Sequence, residues 1–163
     1  MQLGEDTITM SMTLNPVNEA AFQKAVQSLE TLNRAAVFHP TGTGKSCIAW
    51  KVVEAHPQTT FFWLVAGAQR LALRQAELTR YNGGTLPGNV RFCDCEKLAA
   101  ATPEQWVRLG EQKPGCIVLD CYHELSAVCW AQSVQKLLRM CPQAKVLGLG
   151  VPNGAPVLSL IHI

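Results

Sequence analysis

The stretch HPTGTGKS, His39 to Ser46, decides how this chain is read. Gly42 and Gly44 let the backbone curl so that successive N–H groups converge on one anion. An apolar strand, Ala35 to Phe38, runs in, and a helix over Lys45 to Ala55, with Ile48, Val52 and Val53 inward, runs out with its positive end at the same point. Strand, glycine loop and helix are the context a phosphate loop needs. Pro40, Thr41, Gly42, Thr43 and Gly44 would cradle phosphates, Lys45 would reach the β- and γ-phosphates, and the Ser46 hydroxyl would ligate Mg²⁺. His39 stands where the general motif has its first glycine.

Outward from the loop, short apolar runs alternate with amphipathic stretches. A helix is expected over Pro16 to Thr31, with Ala20, Ala21, Ala25, Leu29 and Leu32 on one face. Strands are expected at Phe61 to Val65, Val90 to Cys93, Cys116 to Leu119 and Ala144 to Leu149. Helices are expected at Ala68 to Tyr81, Pro103 to Leu109 and Ser126 to Met140. Repeated β-then-α units with strands apolar on both sides imply an α/β domain, a mainly parallel sheet with helices on both faces.

The composition agrees. A chain of 163 residues, 48% apolar and 16% charged, has room for one domain with a full core. No apolar run reaches membrane-spanning length, and the N-terminus lacks the pattern of an export signal, so a cytoplasmic protein without membrane association is expected. Seven cysteines then read as reduced thiols. Cys93, Cys95, Cys116, Cys121 and His123 do not form the paired C-x2-C spacing of a structural zinc site. A net charge of +2 neither requires nor excludes nucleic acid.

HPTGTGKS resembles motif I of superfamily-two DEAD/DEAH-type helicases, particularly the branch related to the translocases of type I and III restriction enzymes, where the first glycine is commonly absent. Further resemblances follow in order along nearly the whole chain. LNPVNEAAF, Leu14 to Phe22, is similar to the family's leading L-x-P-x-Q-x-x-A segment, with Asn18 at the position of the adenine-reading glutamine. FFWLVAGAQRLALRQ, Phe61 to Gln75, resembles the motif Ia strand and helix, and implies Arg70 and Arg74 as contacts to a nucleic-acid backbone. CIVLDCYHEL, Cys116 to Leu125, resembles motif II. Asp120 matches the aspartate that holds Mg²⁺ through water, and His123 the histidine that couples nucleotide state to movement.

The departures are as specific as the matches. Cys121 stands where the family has the glutamate that positions the attacking water, and a thiol is a poor substitute. Asp94 replaces a threonine in FCDCEKL, Phe92 to Leu98, and would repel a phosphate there. KVLGLGVPNGAP, Lys145 to Pro156, resembles the strand leading into motif III, but Gly150-Val151-Pro152 supplies none of its hydroxyls.

The resemblance therefore implies a RecA-like phosphate-loop fold over residues 1–157. The expected function is that of the ATP- and Mg²⁺-binding first domain of a nucleic-acid-dependent ATPase, helicase or translocase. Lys45, Asp120 and His123 would carry the chemistry, the partner would be DNA rather than RNA, and a second RecA-like domain would complete the site. Alone, the chain is expected to turn over ATP weakly or not at all; the alternative is a catalytically inactive nucleotide-binding scaffold. Leu158 to Ile163, LSLIHI, reads as translated sequencing-adapter sequence, so a native end near Val157 is expected.

Overall fold

The structure is a computed structural model that describes residues 13–38, 44–120 and 128–150. Five of the residues expected at the site, Pro40, Thr41, Gly42, Thr43 and His123, lie outside these, as do Cys121 and residues 151–163.

In chain order the elements are α1 (Pro16–Leu32), β1 (Arg34–Phe38), α2 (Lys45–Ala55), β2 (Phe61–Val65), α3 (Ala68–Tyr81), β3 (Val90–Asp94), α4 (Cys95–Ala99), α5 (Pro103–Glu111), β4 (Cys116–Asp120), α6 (Val128–Met140) and β5 (Lys145–Gly150). The strands form one sheet in the order β1-β5-β4-β2-β3, every neighbouring pair parallel. Its centre is dry: the whole of β2 and of β4 is buried. That explains the unbroken apolar runs FFWLV and CIVL, since strands covered on both faces have no polar side to alternate with.

Strand order dictates the layering. From β1 to β3 the chain steps across the sheet in one direction, and from β3 to β5 it steps back. With crossovers of constant hand, opposite directions put the connecting helices on opposite faces. The two cores follow this rule. Phe61, Trp63, Val65, Val118 and Leu149 pack with residues of α1, α2 and α3 on one face. Phe62, Leu64, Ile117 and Leu119 pack with Leu98, Trp106, Val134 and Leu137 of α4, α5 and α6 on the other. The result is the expected three-layer α/β fold.

Local signals set the helix limits. α1 starts at Pro16 behind the N-cap Asn15, whose side chain accepts from the Asn18 N–H, and stops at Asn33 in the left-handed region. α5 carries a complete capping box between Thr102 and Gln105. Two expectations are corrected. The inward face of α1 is Asn18, Ala25 and Leu29, with Ala20 exposed and Leu32 62% exposed. Positions 18, 25 and 29 keep the helical period, whereas Ala20 falls off it. The second correction is α4, a five-residue helix that the sequence reading left out. It is too short to show a period and is announced by its N-cap Asp94 alone.

Candidate functional site

β1, the strand that enters the glycine loop, and β4, the strand that ends at Asp120, are separated only by β5. Leu149 of β5 is in register with Val37 of β1 and with Asp120 of β4, so the three residues form one row across the sheet. At a strand spacing of about 4.8 Å, that sets the Asp120 backbone about 10 Å from β1. All three strands end at this edge, where the loops that leave parallel strands build their sites. Asp120 lies two residues after Val118, whose side chain belongs to the α1–α3 face, so the pleat directs the carboxylate to the face that carries α2.

The head of α2 is built on a glycine. Gly44 is its N-cap, with φ 93° and ψ 27°, a left-handed conformation that costs other residues. A Cβ there would also stand 2.8 Å from the Asn18 side-chain nitrogen. Asn18 is 7% exposed and reaches Gly44 from the first turn of α1. The candidate adenine contact and the end of the candidate phosphate loop, 26 positions apart in sequence, thus meet in the fold. Lys45 begins the helix and is half-buried. Ser46 is buried, its hydroxyl 3.4 Å from that of Tyr81, which also accepts from the Cys47 thiol at 3.2 Å. Burial raises the Tyr81 phenol above its ordinary range, assisted by the Cys47 contact.

Asp120 is engaged on both oxygens. Arg74 of α3 donates through Nε to Oδ2 at 2.5 Å and through Nη2 to Oδ1 at 3.3 Å, while Trp63 of β2 donates through Nε1 to Oδ2 at 2.9 Å. The third guanidinium nitrogen, Nη1, donates to Glu77 at 3.0 Å. The Asp120 side chain is 3% exposed and that of Arg74 15%. A forked guanidinium–carboxylate pair in so dry a place is strong and geometrically fixed. Arg74, which the motif Ia resemblance implies as a nucleic-acid contact, is therefore turned onto the β4 aspartate. Arg70, one turn earlier, is half-buried.

The arrangement does not fit a resident Mg²⁺ between Ser46 and Asp120. Mg²⁺ demands oxygen lone pairs in near-octahedral array, and three of the roughly four on Asp120 are taken by two guanidinium N–H groups and an indole N–H. The guanidinium charge also offsets that of the carboxylate, so the pair as a whole offers a divalent ion little net attraction. Nor does any group of three or more His, Cys, Asp or Glu among the described residues have the geometry to hold a metal.

Asp94, expected to repel a phosphate, is a structural residue. Buried at 5% exposure, it accepts from the Glu96 N–H at 2.9 Å as the N-cap of α4, and from the Gly67 N–H at 3.2 Å. One carboxylate oxygen thereby ties the β2–α3 turn to the β3–α4 junction. Among the described residues Cys47, Cys93, Cys95, Cys116 and Cys141 form no disulfide. Burial pushes the Cys93 and Cys116 thiols up to about 12. A cavity of about 110 Å³ lies at the opposite, amino edge of the sheet, between α1, α2 and the starts of β2, β4 and β5. Its lining includes none of Asn18, Gly44, Lys45, Ser46, Arg74 and Asp120.

Sequence reasoning missed Tyr81, Trp63 and Glu77. The available signal was the spacing of Arg74, Glu77, Leu78 and Tyr81, which places four residues on one face of α3 with Leu78 fully buried in the core. Polar groups beside an inward leucine were a sign that this face is interior.

No protein-family model matches the sequence, and no curated protein sequence matches it. The fold does have counterparts among solved structures. One is a crystal structure described as a hypothetical ATP-dependent RNA helicase from Sulfolobus tokodaii, with a TM-score of 0.65 and 10% sequence identity. The match covers 99% of this chain and 53% of that one, so the chain spans about half the length of the protein it resembles. The likeness supports the RecA-like reading of the fold.

Proposed function

We propose that this chain is the nucleotide-binding domain of a helicase-type, nucleic-acid-dependent ATPase. The observation that carries the reading is the meeting of Asn18 with Gly44 at the head of α2, at the sheet edge where β1 and β4 also end. A purine held by the Asn18 amide and phosphates held by the loop before Lys45 would then belong to one ligand. The amide offers a donor and an acceptor to an adenine edge. Lys45 supplies charge to the phosphates, and the left-handed Gly44 aims the first amides of α2 at them. His123 is the candidate for coupling nucleotide state to movement, and Arg70 for touching a nucleic-acid strand.

The helicase part rests on the order of the sequence motifs and on the likeness of fold. The solved counterpart is described as acting on RNA, so the expected preference for DNA has no support from it, and both nucleic acids belong in any assay. The relation to restriction translocases rests on the absent first glycine alone, His39 standing in its place. The activity of a whole motor, including any second RecA-like domain, is part of the proposal.

A second reading is favoured by two features. With Arg74 on Asp120 and a cysteine at position 121, the domain binds nucleotide without turning it over and serves as a scaffold. Binding of a fluorescent ATP analogue, displaced by ATP, tests what both readings share; Lys45→Ala should abolish it, and equal binding by that variant would remove both. Single-turnover hydrolysis with single-stranded RNA or DNA then separates them, since the scaffold reading predicts no product.

A further inference from the structure

A half-buried guanidinium holds the buried carboxylate that should meet the metal, and this has a consequence for how nucleotide binds. We infer that Arg74 takes the place of a divalent cation at this site, so that the domain binds ATP equally well with and without Mg²⁺. The inference rests on the nucleotide-binding reading above and concerns the same site.

Three observations converge on it. Arg74 uses all three of its guanidinium nitrogens: Nε and Nη2 on the two oxygens of Asp120, and Nη1 on Glu77. The fork is therefore held from both ends and is not a passing contact of a long side chain. Asp120 is 3% exposed, with the Trp63 indole N–H on the oxygen that Nε also holds, so the carboxylate is shared among donors that the fold itself supplies. The other expected metal ligand, Ser46, is buried and lies in hydroxyl contact with Tyr81. Both expected ligands thus already have protein partners, and every one of those partners comes from β2 or α3.

A divalent cation in a nucleotide site offsets phosphate charge and relieves the repulsion between those phosphates and an aspartate behind them. Here the aspartate is already neutralised by a permanently charged group that cannot lose its proton. A carboxylate paired in this way no longer repels the nucleotide and no longer attracts a metal, and phosphate charge falls to Lys45 and the loop amides. Arg74 is on this account a specificity residue. It sets which form of the nucleotide, free or metal-bound, the domain accepts.

The test is a binding titration with a fluorescent ATP analogue, in millimolar Mg²⁺ and again in excess EDTA. For the wild-type chain the two dissociation constants should agree within about threefold. In Arg74→Gln the freed Asp120 should both repel free nucleotide and attract the metal, so binding should weaken by about tenfold or more in EDTA and recover in Mg²⁺. Arg74→Lys keeps the charge and should stay metal-independent, which covers the case of a glutamine variant that does not fold. Wild-type binding that weakens about tenfold or more on removing Mg²⁺ overturns the inference and leaves the nucleotide reading intact. A glutamine variant as metal-independent as the wild type overturns the role of Arg74. Absence of binding under both conditions overturns the nucleotide reading and this inference with it.

Discussion

Asn18 and Gly44 close on one another at the head of α2: the side-chain nitrogen of Asn18 stands 2.8 Å from where a Cβ on residue 44 would be. Glycine is required there twice over, once by its φ of 93° and once by space. The contact joins the first turn of α1 to the first turn of α2, and both helices cover the same face of the sheet. Whatever enters the loop before Lys45 is therefore met by an amide from a segment far away in sequence.

Gly44→Ala should cost about 1–3 kcal/mol, from the left-handed backbone and the clash together. Urea denaturation measures it. Asn18→Ala in the same chain should recover the part due to the clash and leave the backbone part, so the two substitutions should be non-additive. Strict additivity would contradict the contact.

Removing the guanidinium from the Asp120 pair should be more costly. Arg74→Ala leaves a buried carboxylate with a single indole donor, and loss of one member of a buried pair costs about 3–5 kcal/mol. Adding Asp120→Asn removes the stranded charge and should restore a substantial part of the loss. Denaturant midpoints of the two variants make the comparison.

Asp94 should tolerate asparagine and not alanine. Both Asp94 and asparagine present an acceptor to the Glu96 and Gly67 N–H groups, whereas alanine leaves the start of α4 uncapped, at about 1 kcal/mol. A melting temperature lower for Asp94→Ala than for Asp94→Asn is the expected result. Equal values would mean that the cap is of no consequence.

Two thiols give the fold an alkaline limit. Burial raises Cys93 and Cys116 from an ordinary value of 9.0 to about 12, so the native state keeps protons that the unfolded chain releases. Their contribution to stability is complete below pH 9 and is lost as pH rises from there toward about 12. Stability measured at pH 8 and at pH 10.5 should fall between the two, and Cys116→Ala should fall less steeply (about pH 8 to 10.5 brackets the lower half of the window).

Much of the architecture was legible in the sequence because its elements have strong local causes. FFWLV and CIVL are too apolar and too β-branched or aromatic to be anything but interior strands, and Asn15-Pro16, Gly44 and Thr102-Pro103 mark helix starts by their own chemistry. Strand order was not legible, since nothing local says that β5 inserts between β1 and β4. The same limit hid the partner of Asp120. Its sequence position fixed it at a strand end, but the guanidinium that meets it comes from 46 residues earlier, on a helix whose arginines the motif Ia resemblance assigned to a nucleic-acid strand. Asp94 was misjudged for a related reason. Its charge was weighed against an imagined phosphate, while the N–H groups of Glu96 and Gly67 were its partners.

The central claim is that the turn into α2 binds the phosphates of a nucleotide, and thermal melting with and without ATP tests it most directly. At about 100 times its dissociation constant a ligand adds roughly 2.7 kcal/mol, which for a domain of this size raises the midpoint by about 5–10 °C. The wild-type chain should show that shift and Lys45→Ala should not. A wild-type midpoint unmoved by millimolar ATP, in Mg²⁺ and in EDTA alike, would contradict the account.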